Sequence, residues 1–455
     1  MEQPNVTGDG DAPLTPRFWA AICLTGVAAG LAGAAMMLVL TVAEHLTYGY
    51  HDASLSALLS RYGGIDFQTA VERSSALRRV VALVVAGVVG GIGWYGLRRW
   101  SRGNTEVDEA IWQGGEARLA VGRSLGTSVL SELVIGMGAS IGREAAPKLL
   151  GGVSGSVVSD RLGLSNGQRR LLVACGAGAG LAAVYNVPLG GALFTAELLV
   201  GTVALPVMLP ALACAAIASA VAWLYLPDRA TYVHLPVFHF SLSLLVWGVL
   251  AGLGIGVLAA GWVRLVGWVG HHRFRGGAAV AATVVAFGAL GLVGIAYPQL
   301  FGNGKDMAQM VFVSQGGIGL LLALFALKPL VTAGCLGAGA SGGLFTPTLS
   351  TGAVLGGGLG LAWSHLWPGT PAGAFAVVGA AAMIGAAMQA PLAGLALVLE
   401  MTHTTFDLLV PMAIATVLAT VVCRAIDGYS IYSARLPATG LPPASALPSG
   451  GSGGR

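Results

Sequence analysis

Gly136-Met-Gly-Ala-Ser-Ile-Gly-Arg-Glu-Ala-Ala-Pro147 is the stretch on which the reading of this chain turns. An apolar, glycine-rich segment breaks open here and sets Arg143 and Glu144 between hydrophobic flanks. An ionisable side chain inside a membrane segment costs about 2.5–3.5 kcal/mol on insertion scales, so it marks a functional site by default. The glycines let the backbone leave helical geometry and turn its N–H groups into a cavity. Pro147 stands where a first helical turn tolerates proline, which predicts a helix starting near Glu144 with its positive dipole end at the break. Such an end is an anion site. Read alone, the stretch fits equally a surface loop closed by an ordinary Arg–Glu pair.

The device returns about 200 residues later. Gly337-Ala-Gly-Ala-Ser-Gly-Gly-Leu-Phe-Thr-Pro347 repeats the Gly-x-Gly-Ala-Ser-x-Gly frame and also ends in proline. Asn186-Val-Pro-Leu-Gly-Gly-Ala-Leu-Phe-Thr-Ala-Glu197 is echoed by Gln389-Ala-Pro-Leu-Ala-Gly-Leu-Ala-Leu-Val-Leu-Glu400, and Pro188 to Glu197 covers the same nine positions as Pro391 to Glu400. In a chain with 70 glycines one repeated tract is easy to obtain by chance; two in the same order are not. Interrupted hydrophobic segments at matching places in two halves point to a transporter's binding site near the bilayer midplane. The expectation is a two-repeat membrane protein with its site where the repeats meet.

Composition agrees. The chain is 55% hydrophobic and 10% charged over 455 residues, with a mean hydropathy of +0.77, which places it among integral membrane proteins. Net charge +4 is scattered, without the basic run or aromatic interleaving of a nucleic-acid binder. The five cysteines, at 23, 175, 214, 335 and 423, show neither metal nor disulfide spacing and read as buried free thiols. Among eight histidines only His271-His272 are neighbours, beside Arg273 and Arg275 in a polar turn. With no His-Glu-x-x-His, Gly-x-Ser-x-Gly or paired-aspartate motif, an enzyme is not expected, nor a cofactor or metal. Gly176-Ala-Gly-Ala-Gly180 follows no strand, so close helix packing explains it better than a phosphate cradle.

The predicted organisation is a polar N-terminal cytoplasmic segment over 1–17, a first membrane repeat over 18–226, a linker over 227–239, a second repeat over 240–436 and a disordered tail over 437–455. Phe18–Val42 spans, and 44–75 reads as a surface excursion. Ala76–Trp100 has Arg78-Arg79 at its start and Arg98-Arg99 at its end, so arginine counting gives no orientation there. Later apolar stretches such as 171–226 and 372–424 are too long for one span and too broken for two ideal ones, which predicts tilted helices of uneven length.

At this point the residues resemble the CLC chloride channels and chloride/proton antiporters. Gly142-Arg-Glu144 is similar to the family's Gly-Arg-Glu-Gly-Pro motif, and Gly343-Leu-Phe-Thr-Pro347 fits its Gly-x-Phe-x-Pro motif. Tyr185-Asn-Val-Pro-Leu resembles the entry to its helix after the first re-entrant pair, and Tyr432-Ser-Ala resembles the final helix that brings a tyrosine to the central anion. The resemblance covers residues 18–436. It implies an all-α integral membrane protein of two inverted repeats of tilted and re-entrant helices. It further implies a multi-pass cell-membrane location and a homodimer packed on its proline-led helices, with one anion pathway per subunit. Glu144 would be the gate: ionised, it competes for the outer anion site; protonated, it leaves and admits chloride. Backbone N–H groups of Arg143, Glu144 and Ala145 and of Leu344, Phe345 and Thr346 would cradle the anion, with the Tyr432 hydroxyl at the central site. Backbone donors suit conduction because a fixed lysine or arginine would hold chloride too long.

The departures matter as much. Ala145 and Ala146 replace Gly-Pro after Glu144. The family's first motif, Gly-Ser-Gly-Ile-Pro, has its best counterpart in Ser101-Arg-Gly-Asn-Thr-Glu-Val-Asp108, which aligns Arg102 with the anion-touching serine unless Ser101 slips into that role or Arg102 snorkels to the interface. Leu198 stands where many antiporters carry an internal proton-accepting glutamate. Glu197, like Glu400, is expected to cap backbone N–H groups. Glu132 is expected either as a substitute proton acceptor or paired with Arg123 or Lys328. Gly103-Asn104 resembles the fluoride/proton branch, but the intact Tyr432 favours chloride. A non-conducting anion-sensing scaffold remains the alternative of another class.

Overall fold

The computed structural model describes residues 14–49, 67–103, 105–112 and 118–436. Most of the N-terminal segment, the tail, most of the 44–75 excursion and Asn104 lie outside the described residues. Local rules set where helices begin. Thr15 accepts from Phe18 N ahead of Pro16, opening α1 (Pro16–Tyr48). Ser75 caps α3 (Ala76–Trp100) after the short α2 (Phe67–Arg73). A capping box of Ser165 and Gln168 opens α7 (Asn166–Tyr185). Ser241 caps α10 (Leu242–His271). The first half continues through α4 (Val107–Trp112), α5 (Val121–Gly136), α6 (Ala145–Leu162), α8 (Pro188–Leu193) with a π-helical extension Phe194–Val200, and α9 (Leu205–Ala222).

The second half runs the same series: α10, α11 (Gly276–Ala296), α12 (Lys305–Phe312), α13 (Ile318–Gly337), α14 (Phe345–Trp363), α15 (Ala372–Met388), α16 (Pro391–Thr402) and α17 (Leu409–Ile426). Equivalent details recur. Asn186 ends α7 and Gln389 ends α15, each left-handed at φ 55° and 57°, each two residues before a helix-opening proline. Among the described residues seven helices are long and apolar enough to cross a membrane, and shorter apolar helices such as α15 and α16 stand beside them, the uneven lengths that the broken apolar stretches predict. α1 is longer than expected, running to Tyr48 instead of stopping at Val42.

The fold also supplies the orientation that counting arginines along Ala76–Trp100 could not. Arg98 reaches Gly339 O, Phe274 N bonds Gly337 O and Arg123 bonds Gly103 O, so Arg98, Arg99, Arg102, Arg123, Arg273 and Arg275 gather on one face. That basic face is the cytoplasmic one by the positive-inside rule. Arg78, bonded to Thr47 O at the far end of α1, belongs to the outer face.

Small residues set the tightest packing. A Cβ on Gly176 would lie 2.2 Å from Gly151 O, and one on Gly180 2.0 Å from Pro147 O, so α6 and α7 touch backbone to backbone. The Gly176–Gly180 run is a packing surface, as expected. Four cysteines are buried free thiols; Cys23 departs from expectation and lies exposed on α1.

Candidate functional site

α5 crosses to the outer face, where Tyr48 OH donates to Met137 O and Gly302 N to Gly138 O. The chain then turns back into the protein before α6 starts. α13 crosses the other way, and its chain also returns before α14 starts. The two returning segments meet in a short antiparallel bridge, Gly142 N to Gly343 O and Gly343 N to Gly142 O, both 2.8 Å. From there α6 runs toward the cytoplasmic face and α14 toward the outer one. Two helix N-termini, with their partial positive charge, thus converge in the interior.

Glu144 is the N-cap of α6 yet makes no side-chain bond to its own helix. Its carboxylate instead reaches the start of α14. Oε1 accepts from Phe345 N at 2.7 Å; Oε2 accepts from the Thr346 hydroxyl at 3.2 Å and from the Tyr185 hydroxyl at 3.4 Å. The side chain is 2% exposed. Tyr185 OH and Thr346 Oγ1 are 2.6 Å apart, and the Arg143 guanidinium lies 4.9 Å from the Tyr185 ring centroid. With the Glu144 carboxylate in this place neither bridge position has room for a Cβ, because one on Gly343 or on Gly142 would overlap Glu144 Oε1. Leu344 and Phe345 are fully buried behind the cradle.

A cavity of about 90 Å³ opens on the cytoplasmic side of Glu144. Ala145, Ala146, Ser341 and Tyr432 line it, and Arg273 and Arg435 contribute basic wall. Tyr432 reaches it because Ile431 N is anchored on Ala387 O and its ring packs edge-on to Phe194 at 6.0 Å.

The family model for the voltage gated chloride channels matches residues 85–424 of this chain. The chain belongs to the CLC family. It is 31% identical over 375 residues to a voltage-gated ClC-type chloride channel, ClcB, of Salmonella typhi, covering 80% of this chain and 88% of that one. It is 31% identical over 315 residues to an H(+)/Cl(-) exchange transporter, ClcA, of Yersinia pestis bv. Antiqua, covering 67% and 66%. The fold matches a slow cyanobacterial Cl-/H+ antiporter with a TM-score of 0.79 at 22% identity, over 92% of this chain and 97% of the other. A CLC-type fluoride/proton antiporter matches with a TM-score of 0.69 at 18% identity, over the same shares. The protein is accordingly a multi-pass, all-helical membrane protein of CLC fold, and not an enzyme.

Within this CLC fold, Arg143, Glu144, Ala145, Leu344, Phe345 and Thr346 come together at the bridge, and Tyr432 faces the same cavity. Arg102 and Ser101 do not join them. Arg102 is exposed, and the Ser101 hydroxyl is spent on Leu97 O at the end of α3; the cavity wall is formed by Thr105, Glu106, Val107 and Asp108 a few residues on. Leu198 is buried in the π-helical turn. Glu132 forms no salt bridge with Arg123 or Lys328. Arg123 bonds Gly103 O on the cytoplasmic face, and the Lys328 ammonium is held by Ser140 Oγ, Leu300 O and Gly302 O. Glu132 itself is fully buried one turn from the outer end of α5, away from the cytoplasmic approach, and neither carboxyl oxygen has a hydrogen-bond partner among the described residues. Glu197 and Glu400 do cap backbone N–H groups, but across the halves. Glu197 accepts from Leu392 N and Ala393 N, and Glu400 from Leu189 N and Gly190 N.

Two features escaped sequence reasoning. Tyr185 touches Glu144, though its only signal was its place beside Asn186-Val-Pro188. Lys148 lines the cavity one turn beyond Glu144 and was not singled out in the sequence. A lone lysine in the first turns of an apolar, glycine-rich helix was the signal that could have found it.

Proposed function

We propose that the protein carries chloride across the membrane, as a channel or in exchange for protons, along a path gated by protonation of Glu144. One observation carries this reading: the carboxylate occupies a cradle of donors at the meeting of two helix N-termini. Those groups suit any small anion, and an ionised carboxylate is a tethered one. A hydrogen bond to a charged acceptor is worth about 1.5–3 kcal/mol against 0.5–1.5 for a neutral one, so a proton on Glu144 weakens its hold and frees the cradle. Anions then pass between this site and the cavity beside Tyr432, drawn by the basic wall of Arg273 and Arg435. Chloride is the anion of the CLC relatives described above, one called a channel and another an exchanger. A central tyrosine supports chloride over fluoride, and Asn104, which resembled the fluoride branch, lies outside the described residues. Leu198 leaves the cytoplasmic side without the carboxyl many exchangers use, so any proton delivered from inside travels by another route.

A second copy of the chain is part of the proposal. Leu189 on α8, Leu392 on α16, Leu205 on α9 and Val421 on α17 are 45–70% exposed, forming an apolar surface on the proline-led helices and their neighbours.

The test is chloride efflux from liposomes holding the purified protein, with external pH recorded. Efflux above protein-free vesicles supports transport, and uphill proton uptake during it assigns exchange. Binding of chloride without flux would instead make the protein an anion-sensing scaffold, and flux of fluoride alone would move it to the other branch.

A further inference from the structure

The cavity wall holds an ion pair that the gate does not use. Lys148 Nζ lies 2.8 Å from Asp108 Oδ2 and 3.1 Å from Oδ1, with the two residues 8% and 3% exposed. The ammonium also sits 4.4 Å from the Tyr432 ring centroid and 5.9 Å from that of Phe194. Lys148, Asp108, Tyr432 and Glu144 all border the same cavity. Burying two charges is expensive, and well-packed apolar residues stabilise as well or better, so stability alone does not account for the pair. Its place does. Lys148 is one helical turn from Glu144 toward the cytoplasm, on the side from which the Arg273 and Arg435 wall draws anions.

We propose that Lys148 is an inner anion contact and that Asp108 competes with the anion for its ammonium, so that the pair sets how tightly the anion is held before release. A bare lysine in a low-dielectric cavity would trap the anion, and conduction needs binding weak enough to leave. Asp108 supplies the weakening, much as the Glu144 carboxylate competes at the outer site. Lys148 thus acts on affinity and Asp108 on release. This inference rests on the reading of the cavity as an anion path.

Its test is titration of sodium chloride into the detergent-solubilised protein by calorimetry, with liposome flux run in parallel. Lys148→Met is expected to raise the chloride Kd about tenfold, while Asp108→Asn lowers it about tenfold and slows maximal flux. Opposite signs from two changes to one ion pair are what a purely structural role cannot produce. Because each single change strands a buried charge, Lys148→Arg and the uncharged Lys148→Met/Asp108→Leu double variant are included. The arginine is expected to stay within about threefold of wild type and the double variant to bind about as weakly as Lys148→Met. Unchanged Kd in the double variant, or weaker binding in Asp108→Asn, overturns the inference while leaving the transport reading intact. Absence of chloride binding and flux in the wild type overturns the transport reading itself.

Discussion

Gly343 and Glu144 together show how closely one residue is cut to another. The three heavy atoms nearest a Cβ placed on Gly343 all belong to the Glu144 side chain, and the same is true of Gly142. Gly343→Ala is therefore expected to cost about 1–3 kcal/mol in the wild type by overpacking. In a Glu144→Ala background most of that cost should vanish, because the clashing carboxylate is gone. Thermal midpoints of the four proteins of this double-mutant cycle, in one detergent, check it; an equal penalty in both backgrounds would mean that the backbone bridge, not Glu144, demands glycine. Glu144 was legible as a candidate site residue because it and Arg143 are conspicuous in apolar surroundings. Its partners were less so. Phe345 and Thr346 came from the repeated glycine frame, whereas Tyr185 is an ordinary residue at a helix end until the fold brings it to Glu144. Lys148 and Asp108 stand 40 residues apart, and nothing in either local pattern announces the other. At Arg102 the motif alignment left a place beside the anion and a place at the interface both open, and the end of α3 turns the residue to the surface.

At the scale of elements, the halves hold each other by exchange. Glu197 at the inner end of the π-helical turn caps the start of α16, and Glu400 at the outer end of α16 caps the start of α8. Each pair of charge-assisted bonds satisfies N–H groups that a helix start leaves open. Glu400→Ala and Glu197→Ala are each expected to lower stability by about 1–2 kcal/mol. A thermal midpoint unmoved by either change would contradict the capping role. Sequence foretold the caps but not their crossing, since the equal Pro-to-Glu spacing within each half says nothing about which half the carboxylate meets. Helix packing was legible wherever glycine recurred at short intervals, as in Gly176–Gly180. Orientation was not, because the arginines that define the cytoplasmic face come from separated segments and gather only on folding.

At the scale of the whole molecule, the helix series of the two halves run in opposite senses and meet at the bridge between Gly142 and Gly343. The internal echoes of sequence revealed the doubling, and composition revealed the membrane. What they left unstated was the cavity, because its walls come from α4, α5, α6, the turn after α10, the segment before α14 and the residues after α17. The apolar surface carrying Leu205 and Val421 predicts that the purified protein has the mass of two chains by light scattering after subtraction of detergent. Charged substitutions at both positions should yield single chains, and a wild-type protein already single would remove the dimer from the account. An ionised Glu144 is expected to block its own pathway. The most direct measurement is the rate of chloride efflux from liposomes as a function of pH, for wild type beside Glu144→Gln. The wild-type rate is expected to rise as pH falls, and the Glu144→Gln rate to be high and indifferent to pH. A Glu144→Gln protein that keeps the wild-type pH profile would contradict it.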